Sequence, residues 1–266
     1  MSPLSVEELA ARIPDGASVA LPPDYSGCAM AAIRALLRRP ARELRLIGVP
    51  QLGLQADLLV GAGCVAEIET AAISLGEHGL APAFQRAWQQ HALVVRESTC
   101  PAIHAGLQAA EKGIPFLPLR GVLGSDLLAM RPDWKVIDNP FAEADPILLV
   151  PAIRPDVALF HAPLADRAGN VWIGVRRELM TMAHAAARCL VTVEAITEED
   201  LLAEDRTAAG TIPALYVEAV AEAPAGGWPV GLQGSYPPDH VWLGRYAREA
   251  RSEAGFQTLL TEFLAA

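Results

Sequence analysis

Short apolar segments of strand length alternate with amphipathic segments of helix length along most of this chain, and this alternation constrains the fold most. The strands are continuous apolar runs, which are typical of strands buried on both faces. The sequence therefore predicts an α/β fold with an open, mostly parallel sheet and helices on both faces. The predicted strands are 17–21, 44–49, 65–74, 92–95, 147–150, 157–161, 171–173 and 189–194; the predicted helices are 5–14, 29–39, 54–59, 82–90, 102–111, 178–188 and 259–264. Ser5 and Glu8 have the spacing of a capping box, which predicts the start of the first helix.

The chain has 266 residues, a length that fits one large domain or two small ones. No internal repeat, low-complexity tract or linker divides it, and the Pro/Gly-rich segment 221–238 is interpreted as a loop of the same unit. We predict a single domain over residues 1–266.

The charge balance restricts the partners that such a chain can have. It carries 21 basic and 31 acidic residues, for a formal net charge of −10. This acidity argues against nucleic acid or an anionic membrane surface as a partner. Acidic Glu7 and Glu8 do not fit a signal peptide, and the cysteines form no CxxC pair, so we expect a cytoplasmic protein. The cysteines are Cys28, Cys64, Cys100 and Cys189.

Known cofactor and metal motifs are missing or stand in the wrong context. Residues 61–66 match G-x-G-x-x-A, but a predicted helix precedes them and a strand follows, the reverse of the dinucleotide-binding order. A phosphate loop, a G-x-S-x-G elbow and an H-E-x-x-H motif are absent. The six histidines are dispersed along the chain. We therefore expect no tightly bound cofactor and no metal site.

The turn 74–79, Ser-Leu-Gly-Glu-His-Gly, follows the third predicted strand. Ligands bind at the carboxyl ends of parallel strands, so this turn is a candidate binding segment. Gly76 and Gly79 permit a tight turn with free N–H groups, and Ser74, Glu77 and His78 supply polar side chains.

Six segments resemble one family when they are taken together and in order. They read DLLVGAG at 57–63, GIPFLPL at 113–119, GVLGSDL at 121–127, DNPF at 138–141, PDVALFHA at 155–162 and DRAGNV at 166–171. In this order they resemble the α subunit of the two-subunit family I CoA-transferases, with the glutaconate CoA-transferase type as the nearest. The resemblance extends from about residue 5 to residue 265.

This resemblance implies the fold of the CoA-transferase and ribose-5-phosphate-isomerase-like superfamily. It also implies a ping-pong transfer of coenzyme A between carboxylic acids through a glutamyl-CoA thioester, formed on a glutamate of the partner β subunit. The implied partners are this β subunit, an acyl-CoA and a free carboxylic acid, with the coenzyme A thioester as a substrate and not a resident cofactor. Expressed alone, the chain is expected to form a homodimer.

The resemblance also assigns roles to particular residues. Ser74, Gly76, Glu77, His78 and Gly79 are expected to contact the substrate, next to the active site of the partner. Glu77 has three possible roles: a nucleophile, because its spacing resembles the S-E-N-G turn of that partner, a lining residue, or a solvated charge.

The glycine-rich loop 121–126 has two possible roles, as a lining of the site or as a structural turn. Its candidate binding residues are Gly124 and Ser125. His161 and Asn139 are expected to be structural, whereas Glu97 and Ser98 follow a strand and could reach the cleft.

The segment 21–30 departs from the family pattern, because prolines replace a glycine pair and a basic residue is missing. This favours a less charged acyl group. Two alternatives remain open. Some relatives hydrolyse a C–C bond in a CoA-linked ring, and they carry a glutamate where this chain has residues 98–101, directly after Glu97. The chain could also be a non-catalytic subunit that stabilises its partner.

Overall fold

The computed structural model describes residues 3–39 and 41–266, and it alternates strands and helices as the sequence predicts. The helices are α1 (Val6–Ala10), α2 (Met30–Arg38), α3 (Leu54–Gly61), α4 (Pro82–Gln89), α5 (Cys100–Glu111), α6 (Leu127–Met130), α7 (Arg177–Ala185), α8 (Asp205–Ala208), α9 (His240–Glu249) and α10 (Glu253–Ala265). The strands are β1 (Ser18–Leu21), β2 (Leu44–Gly48), β3 (Val65–Thr70), β4 (Val94–Glu97), β5 (Phe116–Leu119), β6 (Lys135–Asp138), β7 (Pro146–Pro151), β8 (Val157–Asp166), β9 (Val171–Trp172), β10 (Arg188–Thr197), β11 (Thr211–Ile212) and β12 (Ala219–Glu222). Two 3-10 helices span Gly76–His78 and Ala214–Tyr216.

A nine-stranded sheet forms the centre of the molecule. Seven of its strands are parallel, in the order β12–β10–β8–β1–β2–β3–β4. Strands β9 and β11 add antiparallel pairings beyond the carboxyl half of β8. The prediction of an open, mostly parallel sheet is therefore confirmed.

Both faces of this sheet are covered by helices, so its strands are apolar on both sides. On β1, Val19 and Leu21 join a core that includes side chains of α1, α2, α3, α9 and α10. Ala20 points to the opposite core, which contains Ile103 of α5 and Leu179 of α7. Successive residues of a strand point to opposite faces, which explains why a continuous apolar run is needed here.

A second sheet of three antiparallel strands, in the order β5–β7–β6, was not expected from the sequence. Segment 147–150 was placed in the parallel sheet, and this was wrong. On β7 only alternate residues are fully buried, with Leu148 and Val150 packed beside Trp134 and α5. When the residues on its uncovered face are also apolar, a short strand buried on one face has the same sequence pattern as a strand buried on both faces.

Several local predictions are confirmed. Ser5 and Glu8 form a capping box at the start of α1. Helix α3 ends at Gly61 and strand β3 begins at Val65, so the glycine pair at 61–63 ends a helix and does not open one. All four cysteines are free thiols: Cys28, Cys64 and Cys189 are buried, and Cys100 is exposed. Within the described part of the chain, no helix has the length and apolar character to cross a bilayer.

Candidate active site

The loops after β1, β2 and β3 meet at the carboxyl edge of the parallel sheet. The carboxylate of Asp24 accepts the Leu54 N–H at 3.0 and 3.1 Å, which ties the loop after β1 to the start of α3. A Cβ at Gly53 would lie 2.2 Å from Asp24 Oδ1, so this approach requires glycine. Burial raises the pKa of Asp24 to about 6, although the Leu54 N–H opposes that shift.

The candidate turn 74–79 lies beside this contact. The Ser74 N–H donates to Leu52 O at 3.1 Å, and the turn closes through a 2.7 Å bond from the Leu75 N–H to Gly79 O. Gly79 has φ +101°, a conformation that an L side chain rarely adopts. Its N–H donates to Gly76 O at 3.1 Å, so the expectation of a free N–H group at Gly79 was wrong.

Three polar side chains meet at this turn. Glu77 Oε1 lies 2.8 Å from His240 Nδ1 and 3.8 Å from His78 Nε2, and the two imidazole nitrogens are 3.3 Å apart. Together with Asp24 and Tyr25 they line a cavity of about 330 Å³. His240 lies 162 residues beyond His78 in the sequence. The convergence of these two histidines on Glu77 could therefore not be predicted from their spacing.

Two further cavities adjoin the first one through shared lining residues. A cavity of about 630 Å³ shares Asp24 and Tyr25 with it, and a third of about 290 Å³ is lined by Tyr25, Ser26 and His161. We call these three cavities together the cleft. Arg176 lines the second and third, with its guanidinium 5.5 Å from the centre of the Tyr25 ring.

Arg176 bears on the acyl group expected from the segment 21–30. That segment lacks a basic residue, and the sequence therefore favoured a less charged acyl group. The structure brings a cation to the same place from the residue before α7. Glu178 lies 4.0 Å from the Arg176 guanidinium and partly balances its charge. The cleft therefore contains a cation despite the missing basic residue, and the preference for a less charged acyl group stays a prediction.

His161 is fully buried at the wall of the cleft, inside a network that sequence analysis missed. Parallel pairing of β8 and β10 sets His161 opposite Thr192, and Glu194 follows on the same face two residues later. His161 Nδ1 lies 2.8 Å from Thr192 Oγ1, and Nε2 lies 2.6 Å from Glu194 Oε1. The Tyr236 hydroxyl donates to the same Glu194 oxygen at 2.6 Å.

The network determines the ionisation of its members. Burial alone would raise the pKa of Glu194, but hydrogen bonds from His161, Tyr236 and the Ala225 N–H outweigh it and lower the pKa to about 2. Burial and the Glu194 carboxylate raise the pKa of Tyr236. Glu194 is therefore ionised at neutral pH, and its hydrogen bonds join His161 of β8 to the segment that carries Tyr236. The structural role expected for His161 stays a prediction.

Gly124 and Ser125 are separate from the turn 74–79. They belong to the loop between β5 and α6, at the second sheet, and neither lines the three cavities of the cleft. The Ser125 hydroxyl donates to Val122 O in its own loop at 2.8 Å. Asn139 secures the turn before β7, since its Nδ2 donates to Asp145 Oδ2 at 2.6 Å. The structural alternative is therefore favoured for this loop.

Glu97 and Ser98 do not reach the cleft either. The Glu97 carbonyl accepts from Arg131 at 3.0 Å, where Arg131 also pairs with Glu69 and Asp133. Ser98 lines a small cavity of about 160 Å³ formed with the same arginine. This group joins the edge of the main sheet to the second sheet.

Known proteins resemble this chain along most of its length. The sequence profile of the coenzyme A transferase family matches residues 4–223. The α subunit of the 3-oxoadipate CoA-transferase of Pseudomonas knackmussii is 33% identical, over 98% of this chain and 93% of that protein. The cholesterol ring-cleaving hydrolase IpdA subunit of Rhodococcus jostii is 31% identical, over 88% of this chain and 82% of that protein.

Solved structures agree with this assignment of the fold. Glutaconate coenzyme A-transferase from Acidaminococcus fermentans superposes with a TM-score of 0.89 at 26% identity, over 98% of this chain and 88% of that chain. The decarboxylase AibA/AibB gives a TM-score of 0.84 at 34% identity, over 98% of both chains. The family profile, the α-subunit relatives and the shared fold lead to one conclusion: this chain belongs to the coenzyme A transferase family, as a member of its α-subunit type.

Proposed function

We propose that this chain is the α subunit of a heteromeric CoA-transferase and that the nucleophilic glutamate is supplied by its partner, the β subunit. The observation that carries the proposal concerns the carboxylates of the cleft. Among the described residues, Asp24 and Glu77 are the carboxylates that line its three cavities. Asp24 caps α3 through the Leu54 N–H, and Glu77 pairs with His240, so neither is a free nucleophile.

The proposed transfer proceeds in two balanced halves. The carboxylate of the partner's glutamate attacks the acyl-CoA carbonyl, and the CoA thiolate leaves a mixed anhydride. The thiolate then attacks the glutamyl carbonyl and expels the donor acid as its carboxylate, which leaves a glutamyl-CoA thioester. The acceptor carboxylate reverses these steps and departs as the new acyl-CoA. No net proton or electron is gained.

The surface around the cleft supports the presence of a second, different subunit. Tyr25, Leu80, Val175 and Val241 are large apolar side chains that are 54, 63, 83 and 84% exposed. Tyr25 and Val175 line the cleft, Leu80 adjoins the turn 74–79, and Val241 follows His240. Grouped apolar exposure of this kind marks interaction surfaces. The β subunit would cover these side chains and complete the active site.

Within that assembly this chain would hold the acid. The Arg176 guanidinium, at the wall of two cavities, supplies a positive charge for a carboxylate. The turn 74–79 supplies polar tips at the other end of the cleft. The cavity of about 630 Å³ is large enough for a small or medium acyl group.

The test is to co-purify the chain with its β subunit, then to supply acyl-CoA with or without a free acid. Transfer requires the acid and produces a new acyl-CoA. Ring hydrolysis consumes a cyclic CoA thioester in water alone, and decarboxylation releases carbon dioxide without an acceptor. During transfer, intact-mass analysis should find this chain unmodified and coenzyme A attached to the β subunit. Turnover in water alone, or coenzyme A attached to this chain, would refute the proposal.

A further inference from the structure

The structure holds a second kind of chemistry at the rim of the cleft: Glu77, His78 and His240 direct one carboxylate oxygen and two imidazole nitrogens to one point. We propose that these three residues bind a divalent transition-metal ion of the Zn²⁺ type. The site does not rest on the proposed function, because it uses side chains of this chain alone.

The spacing of the three atoms suits such an ion. They form a triangle with sides of 2.8, 3.3 and 3.8 Å. A point exists about 2 Å from all three corners, which is the length of zinc bonds to nitrogen and oxygen. Carboxylate oxygens and imidazole nitrogens are both metal ligands, and every pair of these three atoms lies within 4.8 Å.

Hydrogen bonding alone serves this arrangement poorly. If His240 Nδ1 carries a proton, it donates a hydrogen bond to Glu77. His78 Nε2 then faces an N–H group that already donates to Glu77. A proton on His78 Nε2 can serve His240, but then the Glu77 oxygen faces a bare nitrogen at 2.8 Å. A metal ion accepts the lone pairs of all three atoms at once, so it satisfies every contact.

The three ligands are held by elements that pack together. His240 is the first residue of α9, whose start is capped by the Asp239 carboxylate, 2.9 Å from the Trp242 N–H. His78 is the last residue of the 3-10 helix Gly76–His78, and its ring packs on α9. A Cβ built at Gly244 of α9 would lie 3.6 Å from His78 Nδ1. The two rings therefore need no large rearrangement to bind an ion, which lowers the entropic cost of binding.

The site has three protein ligands and lies at the wall of the 330 Å³ cavity. Structural zinc sites use four protein ligands, whereas sites with three keep a position for water or another ligand. The ion would therefore offer one coordination position to the cleft, where it could bind a small anion such as a carboxylate.

The experiment titrates Zn²⁺ into the full-length, untagged chain by calorimetry, because a polyhistidine tag would bind the metal. It is repeated with Co²⁺, whose visible spectrum reports tetrahedral nitrogen and oxygen ligands. We expect one ion per chain, and at least tenfold weaker binding in His240→Ala and in Glu77→Gln. His91→Asn is the matched control, since it removes an exposed imidazole outside the cluster, and it should bind as the unmodified chain does.

Thermal unfolding supplies a second readout that does not depend on calorimetry. Zn²⁺ should raise the Tm of the unmodified chain and of His91→Asn, and leave the Tm of His240→Ala unchanged. The proposal would be overturned if all variants bound Zn²⁺ with equal affinity. It would also be overturned if the unmodified chain, at micromolar concentration, bound no Zn²⁺ up to about a 100-fold excess of the ion. A thiolate-to-cobalt charge-transfer band would also overturn it, because it would locate the ion on a cysteine such as the exposed Cys100.

Discussion

The imidazole Nε2 of His161 lies 2.6 Å from the carboxylate Oε1 of Glu194, and this contact joins β8 to β10 inside the sheet. The other carboxylate oxygen, Oε2, accepts the Ala225 N–H at 2.8 Å, and Tyr236 donates to Oε1. One side chain thus holds two strands and the segment 225–236 against the wall of the cleft. Replacement of Glu194 should therefore lower the stability of the protein.

Glu194→Gln should destabilise the protein in a pH-dependent way. Burial raises the pKa of Glu194, but three hydrogen bonds outweigh it and lower the pKa from 4.5 to about 2 in the folded state. The stabilising contribution is therefore present above pH 4.5 and lost as the pH falls towards 2. The difference in unfolding free energy between the variant and the unmodified chain should be full at pH 7 and shrink below pH 4.5. Urea unfolding at several pH values measures it, with exposed Glu199→Gln as the control.

Tyr246→Phe tests a second buried carboxylate. Burial raises the pKa of Asp57 to about 6, opposed by hydrogen bonds from the Phe84 N–H, the Tyr246 hydroxyl and the Ala83 N–H. Because this pKa is raised, ionisation of Asp57 costs stability as the pH climbs from about 4 through 6. Removing the hydroxyl raises the pKa further, so the loss of about 1–3 kcal/mol should be larger at pH 8 than at pH 5. A loss independent of pH, or one equalled by the control Tyr216→Phe, would contradict this account.

Gly79→Val should reduce the kcat/KM of the reconstituted enzyme without unfolding it. A β-branched residue at φ +101° stores about 1–3 kcal/mol of strain, which would distort the turn 74–79. Gly63→Val is the matched control, since Gly63 also has positive φ and open space but lies at the end of α3. If both glycine variants lose activity only in step with Tm, the turn does not contact substrate.

His78→Ala, in the same turn, should lower the kcat/KM of the reconstituted enzyme by about tenfold at most.

Arg176→Gln should weaken the recognition of a charged acid. A carboxylate of the acid would accept a charge-assisted hydrogen bond from the guanidinium, so its loss should raise the KM for a dicarboxylate by about tenfold or more. The KM for a monocarboxylate of equal length should change less. Steady-state kinetics of the complex with both acids decide the matter, with exposed Arg206→Gln as the control. An equal change for the two acids would mean that Arg176 does not bind the distal group.

The chain purified alone should lack CoA-transferase activity, and it should form a homodimer that rearranges into a hetero-oligomer when the β subunit is added. The reason is the exposed apolar rim around the cleft, which needs a cover. Light scattering and activity assays measure both outcomes. Robust turnover by the isolated chain, abolished in Glu77→Gln, would assign the nucleophile to Glu77 and remove the need for a partner.

The apolar strands of the main sheet could be predicted because a strand that is buried on both faces is a continuous apolar run in the sequence. Helix α1 could be predicted in the same way, from the local signal of Ser5 and Glu8. The turn 74–79 could be placed at the carboxyl edge because its position depends only on the strand before it. Each of these inferences needed information from one short stretch of sequence.

The contacts that were missed all depend on distant segments. His240 comes to Glu77 from the far end of the chain, and Arg176 comes to the loop after β1 from the residue before α7. Glu194 meets His161 only through the pairing of β8 with β10. No short motif encodes such encounters, so sequence patterns at one position cannot reveal them. The second sheet was missed because the apolar pattern of β7 fits either environment.

The pairing of β1 with β8 has a consequence for biosynthesis. Ser18 and Asp156, which flank this pair, are 138 residues apart in the chain. Strand β8 is also the only link among the described parallel strands between β1 and β10. The sheet therefore stays incomplete while the first half of the protein leaves the ribosome, and a nascent chain ending before β8 would leave the hydrogen-bonding edge of β1 that faces β8 unpaired. Pairings between segments so far apart in the chain slow folding, and until β8 emerges the unpaired edge of β1 is a place where a second nascent chain can associate.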